Sequence, residues 1–192
     1  RLDTSMTTRD EISQMRRNYG DAGLEISDLN PNPTVQLLKW LGEAANNQFI
    51  VEANAMVLST FAQGKLTSRS VLLKDVTDAG LSFFTNYNSR KAKAIANNEK
   101  VALLFPWYAM ERQVGVIGTV SKVSETESAD YFATRPRDSQ IGAWASSQSD
   151  ELTSRVELEN KYKEFEAKFP SEDCSRRFNC ARSFNDFPWE IY

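Results

Sequence analysis

Between Ala55 and Val123 the sequence offers five stretches of strand character, and the first links between them are only a few residues long. Parallel neighbours need a crossover of roughly a dozen residues or more, so short links force antiparallel pairing. AMVLSTF (55–61) is an apolar run rich in strand formers, and Gln63-Gly64-Lys65 makes a hairpin turn. The return strand spans Leu66 to Val76, Ala79-Gly80 turns again, and Leu81 to Asn86 is a third strand. Val101 to Trp107 and Arg112 to Val123 supply the fourth and fifth. This order argues an α+β fold rather than a parallel doubly wound sheet, and a small closed or partly open barrel fits the strand count.

Helices flank and interrupt the strands. Thr8 or Asp10 caps a short helix running through Tyr19 to Gly20. Asn30-Pro31-Asn32-Pro33 opens a helix to about Gln48. Its expected inner face is Val35, Leu38, Leu41 and Ala45, widened by Leu37 and Trp40. Ser89 caps SRKAKAIANN, with Ala92, Ile95 and Ala96 inward, and Ser124-Glu125-Thr126-Glu127 opens another helix. Pro136 breaks the chain between that helix and the next. Leu152 to Phe169 reads as a long amphipathic helix with Leu158, Tyr162, Phe165 and Phe169 on its apolar face. A length of 192 residues fits one domain over 1–192 with a core that needs neither disulfide nor metal.

What the chain lacks excludes much chemistry. It contains no histidine, which removes Ser-His-Asp and Cys-His catalysis and His-ligated zinc. Two cysteines, Cys174 and Cys180, are too few for a disulfide framework and are expected to be cytosolic thiols. The net charge of -3 argues against general nucleic-acid binding, so basic clusters should be local anion sites. With no membrane-length apolar run and no signal-peptide layout, a cytoplasmic protein is expected. Catalysis must therefore come from Arg, Lys, Tyr, carboxylates or a bound cofactor.

The densest polar stretch is YFATRPRDSQIGAWASSQS, Tyr131 to Ser149. Its Arg, Ser and Gln residues suit an anion, and they equally suit a solvated helix–loop–helix surface. Neither G-x-G-x-x-G nor G-x-x-x-x-G-K-[ST] occurs, so phosphate binding would rest on side chains and helix starts. Arg69 and Lys74 lie five apart on one strand, on opposite faces if the strand is regular. Arg90 and Lys91 open the helix capped by Ser89, where first-turn cations oppose the dipole unless an anion joins them. Gln113, pointing inward from its strand, would read the edge of a heterocycle. Arg16, Arg17 and Tyr19 read, from residues alone, as a solvated basic turn. Together these residues point to two anions, one near Arg69, Arg90 and Lys91, the other near Lys74, Tyr131, Arg135 and Ser139.

SRSVLLKD, FFTNYNSRKAKAIANN, LLFPW, ERQV.VIG and YFATRPRDSQIGAWAS.QS resemble the pyridoxine (pyridoxamine) 5'-phosphate oxidases, from about Arg9 to Phe169. The resemblance implies an antiparallel, Greek-key-like FMN-binding split β-barrel with flanking helices. It also implies a homodimer holding FMN between subunits. The implied reaction oxidises pyridoxine or pyridoxamine 5'-phosphate to pyridoxal 5'-phosphate, by hydride transfer to flavin N5 and reoxidation by dioxygen to give hydrogen peroxide. No membrane, nucleic-acid or metal partner and no side-chain catalyst are implied. The implied cofactor residues are Arg69, Ser70, Val71, Leu72, Leu73, Lys74, Phe84, Thr85, Arg90, Lys91, Gln113, Gln148 and Ser149. The implied substrate residues are Lys74, Tyr131, Arg135 and Ser139, with Arg16, Arg17, Asn18 and Tyr19 in a segment (1–30) that covers the substrate.

After Phe169 the pattern is lost. The family's W-G-G-[FYW], E-F-W-Q-G, R-L-H-D-R and R-L-A-P segments do not occur, and only Pro188 to Tyr192 resembles its final strand. Residues 170–192 are therefore expected to be an aberrant or incomplete tail, and a barrel short of strands would expose an edge. The lost segments carry an Arg and a His over the substrate in the family. That loss keeps open a protein that binds FMN or pyridoxal phosphate without turnover. A split-barrel reductase with another donor is a third reading, against which the R-P-R-D-S-Q run speaks.

Overall fold

The computed structural model describes residues 9–15, 18, 20, 23–77, 80–146, 154–170, 182–185 and 189–191. Two compact units divide the chain, residues 1–31 and residues 32–192. In the first, helix α1 is Arg9–Gln14, shorter than the helix to Tyr19 that the sequence predicts. It buries no residue, and Ile12 and Met15 are exposed. A helix with no packed face has little to lengthen it.

The second unit is built on seven strands: β1 Ala55–Ala62, β2 Lys65–Thr77, β3 Gly80–Phe83, β4 Lys100–Trp107, β5 Arg112–Lys122, β6 Arg182–Asn185 and β7 Trp189–Ile191. All pair antiparallel. The order β4-β1-β2-β3-β6-β5, with β5 also paired to β4, closes a ring, and β7 adds to β5. The predicted hairpin turn forms with Gln63 at φ 51° and Gly64 at φ 73°, both left-handed as a two-residue hairpin of this twist requires. The edge expected from a deficient tail is not found along β3, because β6 pairs with it and with β5.

Alternation along the strands makes the core. Met56, Leu58, Val71, Leu73, Leu81, Phe83, Leu103, Phe105, Val114 and Val116 are buried inside the ring. Each large side chain so buried contributes about 1.5–3 kcal/mol. One irregularity interrupts the alternation. Leu73 pairs with Phe83 but Asp75 with Ser82, so Lys74 is the extra residue of a β-bulge. Without it, Asp75 would follow Val71 and Leu73 into the core. The bulge turns Asp75 outward and returns the inward phase at Val76.

Helix α2, Pro33–Ala45, is capped by Asn32, whose Oδ1 accepts from the Thr34 and Val35 N–H groups. Its buried residues are Gln36, Leu37, Trp40 and Ala44, while Val35 and Leu38 are each 46% exposed. The predicted inner face is thus off by about one residue. The larger Trp40 decides the orientation: it is buried and carries the Arg112 guanidinium at 4.8 Å over its ring. Arg112 also pairs with Glu43, tying α2 to the start of β5.

Helix α3, Arg90–Asn97, buries Ala92 and Ile95 and leaves Ala96 exposed, against expectation. Helix α4, Glu125–Thr134, begins with a capping box in which Ser124 and Glu127 bond reciprocally. Those bonds, from the Ser124 hydroxyl and then its N–H, hold the Glu127 carboxyl below its ordinary pKa. Helix α5, Arg137–Ala145, follows after Pro136. Helix α6, Arg155–Lys168, starts at an N-cap Ser154, and Leu158, Tyr162, Phe165 and the C-cap Phe169 are half-buried as a face. Trp144 of α5 packs on Phe165 and Phe169, with ring centroids 6.0 and 5.6 Å away. Arg137 donates to the Phe169 carbonyl and the Tyr162 hydroxyl to Asp138 at 3.3 Å, so α5 and α6 are latched together.

Candidate functional site

Where β2 and β3 meet the α4–α5 corner lies a cavity of about 590 Å³. Leu72 and Lys74 reach it from β2, and Phe84, Thr85 and Asn86 from the chain just after β3. Tyr131 and Arg135 come from α4, four apart and so on one face. Ser139, Gly142, Ala143 and Ser146 come from α5 and its C-cap, at the spacing of one helical face. Lys74, Tyr131, Arg135 and Ser139, predicted to surround one anion, are thus brought into one cavity. No carboxylate lines it among the described residues.

Aromatic packing orders two of these groups. The Phe84 and Tyr131 rings stack at 3.4 Å between centroids with 6° between planes. Arg135 lies over the buried Phe132 ring at 5.6 Å.

The second predicted anion position is a cluster of cations. Arg69 donates to the Leu58 carbonyl at 3.0 Å and to Thr60 Oγ1 at 2.9 Å from Nη1, and to Thr67 Oγ1 at 2.5 Å from Nη2. Burial and then the neighbouring Arg90 hold its pKa below the ordinary arginine value. Lys91, half-buried, is pushed down by desolvation and then by Arg69. Ser89, fully buried, caps α3 by accepting from the Ala92 N–H at 3.3 Å, and its hydroxyl meets Thr85 Oγ1 at 3.2 Å. Three like charges at a helix N-terminus, with no ion pair to a carboxylate among the described residues, fit a phosphate.

Other predicted residues lie elsewhere. Val71 and Leu73 face the core, so only their backbones are available to a ligand. Ser70 is exposed beside Val57. Arg69 shares the face of Val71 and Leu73 while Lys74 shares the cavity with Leu72, so the two are on opposite faces even with the bulge. Gln113 is half-buried and alternates with buried Val114, so it faces outward and not inward as expected. Asn18 is exposed in the first unit. Arg16, Arg17, Tyr19, Gln148 and Ser149 lie outside the described residues, as do Cys174 and Cys180. Sequence reasoning assigned no site role to Asn86, Pro136, Gly142 and Ala143 in the cavity or to Thr60 and Thr67 behind Arg69, and it held Ser146 only as part of the polar stretch. The α5 residues were recoverable, because they fall three, four and seven positions after Ser139.

No group of three or more His, Cys, Asp or Glu residues could hold a metal among the described residues, and no helix there is long and apolar enough to cross a membrane.

Comparison with known proteins gives a consistent picture. The family described as "Pyridoxamine 5'-phosphate oxidase" matches residues 43–169. The chain is 45% identical over 166 residues to a pyridoxine/pyridoxamine 5'-phosphate oxidase of Nostoc punctiforme, covering 86% of this chain and 77% of the relative. It is 47% identical over 165 residues to one of Burkholderia thailandensis, covering 85% and 75%. Among solved structures, PhzG from Burkholderia lata superposes with a TM-score of 0.77 at 24% identity, covering 89% of this chain and 85% of that one. A pyridoxamine 5'-phosphate oxidase-related, FMN-binding protein from Nostoc punctiforme follows at 0.64 and 14%, covering 85% and 86%. These two likenesses show the split-barrel fold.

Proposed function

Because the chain belongs to the pyridoxamine 5'-phosphate oxidase family, we propose that it oxidises pyridoxine or pyridoxamine 5'-phosphate to pyridoxal 5'-phosphate with FMN as cofactor. The observation that carries this reading is the pair of cationic positions, Arg69 with Arg90 and Lys91, and Lys74 with Arg135. FMN and the substrate each bring one phosphate. FMN supplies the two-electron redox chemistry, with dioxygen as acceptor and hydrogen peroxide as product.

The protein's share is binding and orientation. Arg69, Arg90, Lys91 and the α3 N-terminus hold the FMN phosphate, with Leu72, Phe84, Thr85 and the β2 backbone lining the rest. Gln113, Gln148 and Ser149 belong to the same cofactor set. Lys74 and Arg135 neutralise the substrate phosphate, and the Tyr131 and Ser139 hydroxyls donate to it. A homodimer holding FMN at its interface fits the outer sheet face. There Ile117 is 45% and Phe61 44% exposed, and Val57 pairs with Leu104 beside them.

The test adds pyridoxine 5'-phosphate without oxygen to FMN-loaded protein and follows the flavin absorbance. Bleaching that reverses in air is expected. Persistent yellow colour would refute turnover and leave a non-catalytic binder of FMN or pyridoxal phosphate.

A further inference from the structure

Gln140 touches no wall of the cavity, yet its geometry is tied to every predicted phosphate ligand on α4 and α5. It is 4% exposed. Its Nε2 donates to three carbonyls at the end of α4: Phe132 at 3.0 Å, Ala133 at 3.2 Å and Arg135 at 2.9 Å. Two amide hydrogens reach three acceptors, so at least one is shared. Among the described residues its Oε1 has no hydrogen-bond partner. All the polar contribution of this side chain therefore comes from its donors.

Those donors reinforce the end of α4, where the Phe132 carbonyl also accepts from the Arg135 N–H at 3.2 Å. The last carbonyls of a helix lack intrahelical partners. The chain turns there at Pro136, which has no N–H, and which as N-cap of α5 offers no side-chain bond. Gln140 fills that role from the first turn of α5. The residues that it grips also carry the ligand set. Phe132 supports the Arg135 guanidinium on its ring. Arg135 is the C-cap of α4, and Tyr131 stands one turn before it. Ser139 is the neighbour of Gln140 in the chain. The angle between α4 and α5 thus decides whether Tyr131, Arg135 and Ser139 converge.

We propose that Gln140 is a positioning residue for phosphate recognition, acting through Arg135 by clamping the α4 C-terminus to α5; this rests on the substrate-phosphate reading given above. The experiment uses the FMN-loaded full chain and pyridoxal 5'-phosphate as the probe, with binding measured by calorimetry. Gln140→Met and Gln140→Glu both remove the donors while keeping the length of the side chain. Each is expected to weaken binding about tenfold, the effect of losing one typical hydrogen-bond contribution. FMN loading and melting temperature report folding, and either variant alone suffices if the other does not fold. In an Arg135→Ala background Gln140→Met is expected to add less than threefold, because the two act as one unit. A merely structural role would multiply in full.

Binding within twofold of the parent in the folded Gln140 variants, or full multiplication with Arg135→Ala, overturns the proposal. If Arg135→Ala weakens binding and the Gln140 variants do not, only the positioning role falls. If Arg135→Ala itself leaves binding unchanged, the phosphate-site reading falls and the positioning role with it.

Discussion

Replacing Lys91 by Met should move stability and cofactor affinity in opposite directions. Lys91 is half-buried beside Arg69, and desolvation followed by that charge disfavours its ammonium form. Met keeps the apolar stem and removes both penalties. Lys91 is only partly buried, so screening limits the relief to about 0.5 kcal/mol. The flavin-free protein should therefore melt about 1–2 °C higher, given roughly 2–4 °C per kcal/mol for a domain of this size. FMN, in contrast, loses a charged hydrogen-bond partner for its phosphate, about 1.5–3 kcal/mol, or roughly 10- to 100-fold in Kd. Scanning calorimetry on the flavin-free protein gives the first number, and quenching of flavin fluorescence at fixed salt gives the second. A melting temperature several degrees lower would mean that Lys91 makes a structural bond. An FMN Kd within twofold of the parent would mean that no phosphate sits beside it. Either result refutes the reasoning.

The same lysine sets a pH dependence. Its folded pKa lies below 10.5, so the strain of the charged form is present at lower pH and is relieved as pH rises through the folded value. FMN binding favours the ammonium, so FMN affinity should fall as pH rises through that folded value; Lys91→Met should flatten the decline in a fluorescence titration. On the outer sheet face, Ile117→Glu places a charge on an exposed apolar position. It should leave the monomer's melting temperature within a few degrees and shift sedimentation toward a single chain, with FMN retention falling on dilution; an unchanged sedimentation coefficient would remove that face from the interface.

Much of this was legible from residue periods and turn chemistry. The five central strands, the Gln63-Gly64 hairpin, the Ser89 and Ser124 caps and the break at Pro136 all follow local rules that the fold obeys. The convergence of Lys74 with Tyr131, Arg135 and Ser139 was legible as chemistry, since all four side chains suit an anion, and they line one cavity with no carboxylate among its described lining residues. Three things were not legible. The inner face of α2 depends on Trp40 meeting Arg112, a contact seventy-two residues apart by number and invisible to a local pattern. The outward direction of Gln113 depends on the phase of its strand, which a single residue shifts. The pairing of β6 between β3 and β5 comes from a segment whose sequence matched no family pattern, because backbone pairing asks little of side-chain identity.

That last pairing has a consequence for how the protein is made. Leu81 waits for Phe184, roughly a hundred residues later in the chain. At about 5–20 residues per second, ribosomal synthesis leaves the free side of β3 without its partner for some 5–20 s. During that interval the unfinished sheet offers an open row of backbone donors and acceptors to any other nascent chain nearby. Soluble yield should then follow what covers that row on the ribosome more closely than the stability of the finished ring.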